Sequence, residues 1–445
     1  MVKYRFASLL ILTLLVRVSA QGQPTPDLER RVAELQAKVE ALEQKLSQLL
    51  AAQQPVAPPP VQSAVPVQAT IPPPPIDVAD GPILTSVSVS GDSRSAPDAA
   101  TRLPVAGYMD FHITKERGDF FRPDFHRFVL LFGHSFSERI KFWSELELEH
   151  SRLEGGETSG EIALEQAYLD FLVKPYFNLR AGMLLTPVGI INERHEPPSF
   201  NGVERPFVET FIIPTTWHDL GFGVTGALGR GFRYRAYLMG SLDASRFDAE
   251  NGISEGRTGG FESSFRNPAK VARVEYAGIR RLTLGASIYS GHAGFNTPGL
   301  NPRVSIAEFD GRYGYRRFDF RGLFANTWVT QAGELNDQLQ RQFGFNPNIA
   351  KQMRGYYFEP AVHVFPRRNR NDLILFTRYE KFNTQQEMPA GYLPLAQFDR
   401  SAWVTGVTLK PNADVAIKFD YVFNRNASAV VRALDGINLG VGWWF

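Results

Sequence analysis

The chain has 445 residues, enough for two or three ordinary domains, with 34 Phe, 43% hydrophobic and 21% charged residues. Cys is absent and the net charge is +2, which excludes a disulfide scaffold, a Cys-ligated metal site, a thiol nucleophile and a basic nucleic-acid-binding surface. Arg outnumbers Lys by 37 to 11, and this excess, together with abundant Gly and aromatic residues, fits a β-rich chain better than a helical one.

Residues 1–20 read as a signal peptide: Lys3 and Arg5 precede the apolar run Ala7 to Val16, and Val18-Ser19-Ala20 offers the small residues a signal peptidase needs. The apolar run is about half of the roughly 20 residues that a membrane helix requires. No later stretch is long and apolar enough for one, so the exported chain either stays soluble or meets a membrane as a β-barrel.

Residues 27–53 predict a periplasmic coiled-coil helix. Leu28, Val32, Leu35, Val39, Leu42, Leu46 and Leu49 alternate at spacings of four and three, with Glu, Lys, Gln and Arg on the other faces. A lone helix of this length is marginal in water, so self-association is expected. Residues 54–102 form a linker. Nine prolines between Pro55 and Pro75 predict an extended polyproline-like spacer, followed by a Ser-, Asp- and Gly-rich stretch.

From Leu103 to Phe445 apolar and polar residues alternate with period two. In 415–423, Val415, Ile417, Phe419, Tyr421 and Phe423 share one face, and Ala416, Lys418, Asp420 and Val422 the other. Alternation alone does not separate a soluble sandwich from an outer-membrane barrel, in which the apolar face looks outward. Strand count and loop rhythm do. Strands are expected at 103–115, 123–136, 138–150, 162–174, 177–186, 217–229, 231–241, 268–277, 279–291, 303–315, 317–329, 354–365, 372–382, 400–410, 414–426 and 435–445. Short connections alternate with long ones, and both ends fall on the short-turn, periplasmic side. The predicted fold class is all-β: a 16-stranded antiparallel transmembrane β-barrel over residues 103–445, in the bacterial outer membrane, preceded by the short coiled-coil helix and the Pro-rich linker.

The longest connection, 187–216, is rich in proline and too long to lack a function. Its Pro187, Gly189, Glu204, Arg205 and Pro214 resemble the third loop of the phosphate-selective porin O and P family of outer-membrane channels. That resemblance implies a trimeric porin in which this loop folds inward to narrow the pore. Glu193, His195, Glu204, Arg205 and Glu209 are the expected constriction residues, and Glu204-Arg205 is expected to pin the loop to the wall. The lumen is expected to present Arg180, Arg233, Arg235, Arg273, Arg312, Arg321, Arg378 and Lys418, interspersed with acidic residues such as Glu145, Glu275, Glu308, Asp310 and Asp420. So balanced a lumen argues against a dedicated phosphate site, which needs donors with few competing carboxylates.

Glu193, His195 and Glu196 carry metal-ligand chemistry but lie in a proline-broken loop, and Glu308 with Asp310 lacks a nucleophile beside it; no metal, cofactor or enzymatic activity is expected. The expected partners are outer-membrane lipid, two further copies of the chain and small hydrophilic solutes, anions such as phosphate included, with no nucleic acid. The alternative is a structural protein that tethers the membrane to the cell wall through the coiled coil and Pro-rich stalk.

Overall fold

The computed structural model describes residues 106–150, 161–261, 264–365 and 371–445. The signal peptide, coiled coil and linker expected over 1–102 lie outside the described residues.

Sixteen strands form: β1 (Ala106–Glu116), β2 (Arg122–Ser135), β3 (Ile140–Glu149), β4 (Glu161–Lys174), β5 (Phe177–Leu185), β6 (His218–Gly229), β7 (Phe232–Met239), β8 (Ala269–Tyr276), β9 (Leu282–His292), β10 (Arg303–Tyr315), β11 (Phe318–Val329), β12 (Gln352–His363), β13 (Asp372–Glu387), β14 (Asp399–Lys410), β15 (Val415–Asn426) and β16 (Gly436–Trp444). Each pairs antiparallel with its neighbours in sequence. The pairing of β1 with β16, Tyr108 opposite Trp444 and Glu116 opposite Gly436, closes the ring. Gly107 and Phe445 exchange backbone hydrogen bonds of 3.0 and 2.9 Å, so the strand that opens the barrel and the residue that ends the chain share the short-turn rim.

The two faces of the wall settle what surrounds it. On β15, Ile417, Phe419 and Phe423 are 43%, 41% and 43% exposed on the outside, whereas Lys418 and Asp420 are 3% and 1% exposed on the inside. The same inversion places Phe358 outward beside buried Glu359, and Phe309 outward between buried Glu308 and Asp310. In water such a surface would carry a large cost; it is what a lipid-facing barrel requires, because closure satisfies every strand edge.

Two elements depart from the sequence expectation. β13 continues to Glu387, past the expected end at 382, because β12 pairs with it as far as Gln352 opposite Glu387. The long connection between the strands expected at 317–329 and 354–365 holds a helix, α1 (Ala332–Phe343), which buries Leu335 and Leu339 and stops at Gly344 in the left-handed region at φ 77°.

Candidate functional site

The connection between β5 and β6 begins at Thr186 and ends at Trp217, and the sequence closes its neck locally. Asn192 donates to the carbonyls of Thr186 (2.8 Å) and Trp217 (2.9 Å) and accepts from the Trp217 amide (2.8 Å). Prolines at 197, 198 and 206 break any regular helix, leaving a single turn at Pro197–Ser199 and a wide turn at Val208–Ile212.

From that neck the loop reaches strands far around the ring. His195 meets the β1, β3 and β4 wall: its Nε2 lies 3.0 Å from Glu165 Oε2 and 2.9 Å from Tyr108 Oη, and its Nδ1 lies 3.0 Å from the Asn192 carbonyl. Tyr108 in turn donates to Glu145 at 2.8 Å. On the far side, Asn201 donates to Glu359 on β12 (3.0 Å), the Val203 amide to Asp420 on β15 (2.6 Å) and the Val208 amide to Glu380 on β13 (3.0 Å). Lys410 on β14 donates to the Pro198 carbonyl at 2.6 Å, and Lys418 on β15 sits over the Phe200 ring at 3.9 Å.

Apolar groups lock the second limb. Val208, Ile212 and Ile213 are fully buried, and Phe207 and Phe211 both stack on Phe382 of β13, with ring centroids 5.5 and 5.6 Å apart. The Arg400 guanidinium covers Phe211 at 4.2 Å. The next long connection, between β7 and β8, braces the loop through Ser254, which donates to the Thr210 carbonyl, and Arg257, which donates to that of Thr215.

The five expected constriction residues part into two groups. His195 and Glu209 are each only 2% exposed and bond the loop to the barrel wall through Glu165, Tyr108 and Tyr357. Glu209 accepts from the amides of Ile190 and Ile191, both at 2.7 Å, and from the Tyr357 hydroxyl at 2.7 Å. Burial pushes the Glu209 carboxyl above its ordinary range, against these three donors. Burial alone would depress His195, but Glu165 and Glu145 outweigh it and hold the imidazole well above its ordinary value.

Glu193, Glu204 and Arg205 keep accessible surface. Glu193 pairs with Arg235 on β7 at 3.1 Å. Glu204, with its side chain 43% exposed, reaches His112 Nδ1 on β1 at 3.1 Å. Arg205 donates to the hydroxyls of Thr215 and Thr216 within the loop, so among the described residues only Glu204 of the expected pair is ion-paired with the wall. Sequence reasoning missed Asn192, which closes the neck from within the loop, and Glu165, Glu380 and Tyr357, which the fold of the ring brings to the loop.

Six of the eight basic residues expected on the water side, Arg180, Arg235, Arg273, Arg312, Arg321 and Arg378, are bound to carboxylates. Arg180 grips Asp170 with two bonds of 2.6 and 2.7 Å. Arg273 sits among Glu275 (3.2 Å), Glu308 (3.2 Å) and Asp310 (2.6 Å) and also donates to Ser287 at 2.8 Å. Arg378 holds Glu359 (3.1 Å) and Glu380 (2.7 Å). Lys418 lies against Phe200, and Arg233 is exposed at the start of β7.

No family model matches the sequence. Among solved structures, the barrel is similar to OmpF of Salmonella typhi, solved with daunomycin, with a TM-score of 0.54 and 12% identity over 77% of this chain and 97% of that one. It is also similar to the outer-membrane channel DcaP of Acinetobacter baumannii, with a TM-score of 0.50 and 9% identity over 77% of this chain and 96% of that one. At these identities the likeness is one of fold. In sequence, the chain is 36% identical over 306 residues to an uncharacterized protein of Aquifex aeolicus (strain VF5), covering 67% of this chain and 70% of that protein. The chain thus belongs to the same family as that Aquifex aeolicus protein, a family whose fold, in this member, is a closed sixteen-strand antiparallel barrel.

Proposed function

We propose that the protein is an outer-membrane porin, a water-filled channel for passive diffusion of small hydrophilic solutes, narrowed by the β5–β6 loop lying within the lumen. The observation that carries this reading is the reach of that loop, from His195 on the β1, β3 and β4 side to Asn201, Val203 and Val208 on β12, β15 and β13. A barrel of sixteen strands has a lumen too wide for wall side chains to fill, so such a loop sets the bore. Glu193, Glu204 and Arg205 then line the passage, while His195 and Glu209 hold the loop in place.

Phosphate selectivity is not part of this reading, despite the resemblance at Pro187, Gly189, Glu204, Arg205 and Pro214. Guanidinium groups already bonded to carboxylates, as in Arg273 and Arg378, offer few free donors to a passing anion. Nor does the Arg273 cluster suit acid–base catalysis by Glu308 and Asp310, since the same guanidinium binds both. The purified full-length protein in a planar bilayer should pass steady current, with a reversal potential in a salt gradient close to that of an unselective pore. Absence of current would overturn the channel reading; a strongly anion-shifted reversal potential would overturn the balanced lumen.

We further propose a homotrimer assembled through the barrels, with the heptad segment 27–53 raising local concentration. Cross-linking the barrel freed of residues 21–102 tests this: monomers alone would contradict it.

A further inference from the structure

At the long-loop end of the first three strands, three of the chain's eight histidines gather around one carboxylate. Asp124 Oδ2 on β2 lies 3.3 Å from His112 Nε2 on β1, 3.3 Å from His126 Nδ1 on β2 and 2.9 Å from His150 Nδ1 just beyond β3. Glu149 approaches His126 Nε2 at 3.7 Å. The ligand atoms of His112, Asp124 and His126 all lie within 4.8 Å of one another, as do those of His126, Glu149 and His150. We propose that this cluster is a binding site for a divalent transition-metal ion of the zinc type, with His112, Asp124 and His126 as ligands.

Three observations support it. The first is spacing. Zinc bonds of about 2.0–2.1 Å to nitrogen and oxygen place neighbouring tetrahedral ligands about 3.3 Å apart, which matches the separations of both imidazoles from Asp124. The second is charge. Asp124, Glu149 and Glu204 set three part-exposed carboxylates against these rings, while the neighbouring Arg127 is already paired with Asp110 and Glu147, so the cluster can neutralise a bound dication. The third is orientation. His112 presents Nε2 to the Asp124 side, while its Nδ1 faces Glu204 Oε1 at 3.1 Å. A ligating imidazole whose other N–H donates to a carboxylate is the arrangement that fixes the tautomer and raises ligand basicity.

The sheet holds these groups without help from an ion. His112 stands opposite Asp124 in the β1–β2 register, and the His150 amide donates to the His126 carbonyl at 2.8 Å. His150 stands at φ 54° and sets its Nδ1 2.9 Å from the same Asp124 oxygen. Because Glu204 belongs to the β5–β6 loop, an ion bound here also ties that loop to β1. The ligands His112, Asp124 and His126 have no part in the channel reading, so the two can fail separately.

The full-length protein, stripped with a chelator and repurified in detergent, is titrated with Zn2+ alone by calorimetry and with Co2+ by visible absorption. The wild type should bind one equivalent per chain. His112→Ala and His126→Ala should abolish binding, Glu204→Gln should weaken it about 10- to 100-fold, and His134→Ala, on β2 outside the cluster, should leave it unchanged. Heat-dependent gel mobility checks that each variant is a folded barrel. A wild type that takes up no Zn2+, or folded His112→Ala and His126→Ala variants with undiminished affinity, would overturn the proposal.

Discussion

Both carboxylate oxygens of Glu209 are engaged, Oε2 by two loop amides and Oε1 by Tyr357, which makes this side chain the knot between the two limbs of the β5–β6 loop and the β12 wall. Hydrogen bonds to a charged group contribute about 1.5–3 kcal/mol each, and truncation leaves buried donors unpaired. Glu209→Ala should therefore lower the free energy of local loop opening by on the order of 3 kcal/mol, seen as roughly 100-fold faster hydrogen exchange at the Ile190 and Ile191 amides. Glu209→Gln keeps one acceptor for the two amides and should change exchange less than about tenfold; equal effects of the two variants would contradict the knot.

The neighbouring pair His195 and Glu196 makes loop docking pH-dependent. Burial pushes the Glu196 carboxyl up to about 7 from its ordinary 4.5, against the pull of His195. His195 is likewise held above its ordinary 6.5 by Glu165 and Glu145, against burial. Both groups therefore carry more proton in the docked loop than in a released one, so docking weakens as pH rises. The Glu196 contribution is lost between 4.5 and about 7; that of His195 is complete below 6.5 and lost as pH passes its elevated value. Limited proteolysis within 190–213 should accelerate from pH 6 to pH 9, and slower cleavage at high pH would refute the assignment.

At the scale of the element, loop placement can be tested by covalent geometry, because the chain has no Cys of its own. A Cβ built on Gly440 of β16 lies 3.6 Å from Val203 Cβ, within the range of about 3.5–4.5 Å found for disulfides. The double variant Val203→Cys, Gly440→Cys should oxidise spontaneously in the exported protein and close a loop visible on non-reducing gels. Free thiols in a folded, oxidised sample would place the loop elsewhere.

The strands were legible because their signal is local. Alternation such as Ile417, Phe419 and Phe423 against Lys418 and Asp420 needs no knowledge of partners, and it located all sixteen strands to within a few residues. The α1 helix also carried a local signal, Leu335 and Leu339 one turn apart before Gly344, obscured by the polar residues around it. The anchors of the loop were not legible. Glu209 meets Tyr357 and Val203 meets Asp420 across 148 and 217 residues, a juxtaposition created by closure of the ring. The histidine cluster was hidden for the same reason: Asp124 and His126 share a strand face, but His112 and His150 join them only through pairing across β1, β2 and β3.

For the whole molecule, the wall divides two solvents. Its outer face is apolar and its inner face is a network of guanidinium and carboxylate groups; both ends of the ring meet at Gly107 and Phe445. In the proposed porin, a lumen this polar conducts only as far as the β5–β6 loop leaves it open, and that loop sets the bore. The most direct measurement is the single-channel conductance of the full-length protein and of a variant lacking residues 195–210, compared in planar bilayers at the same salt. The deletion should raise conductance and the solute size cut-off together; a folded deletion variant with unchanged conductance would show that the loop does not constrict the pore.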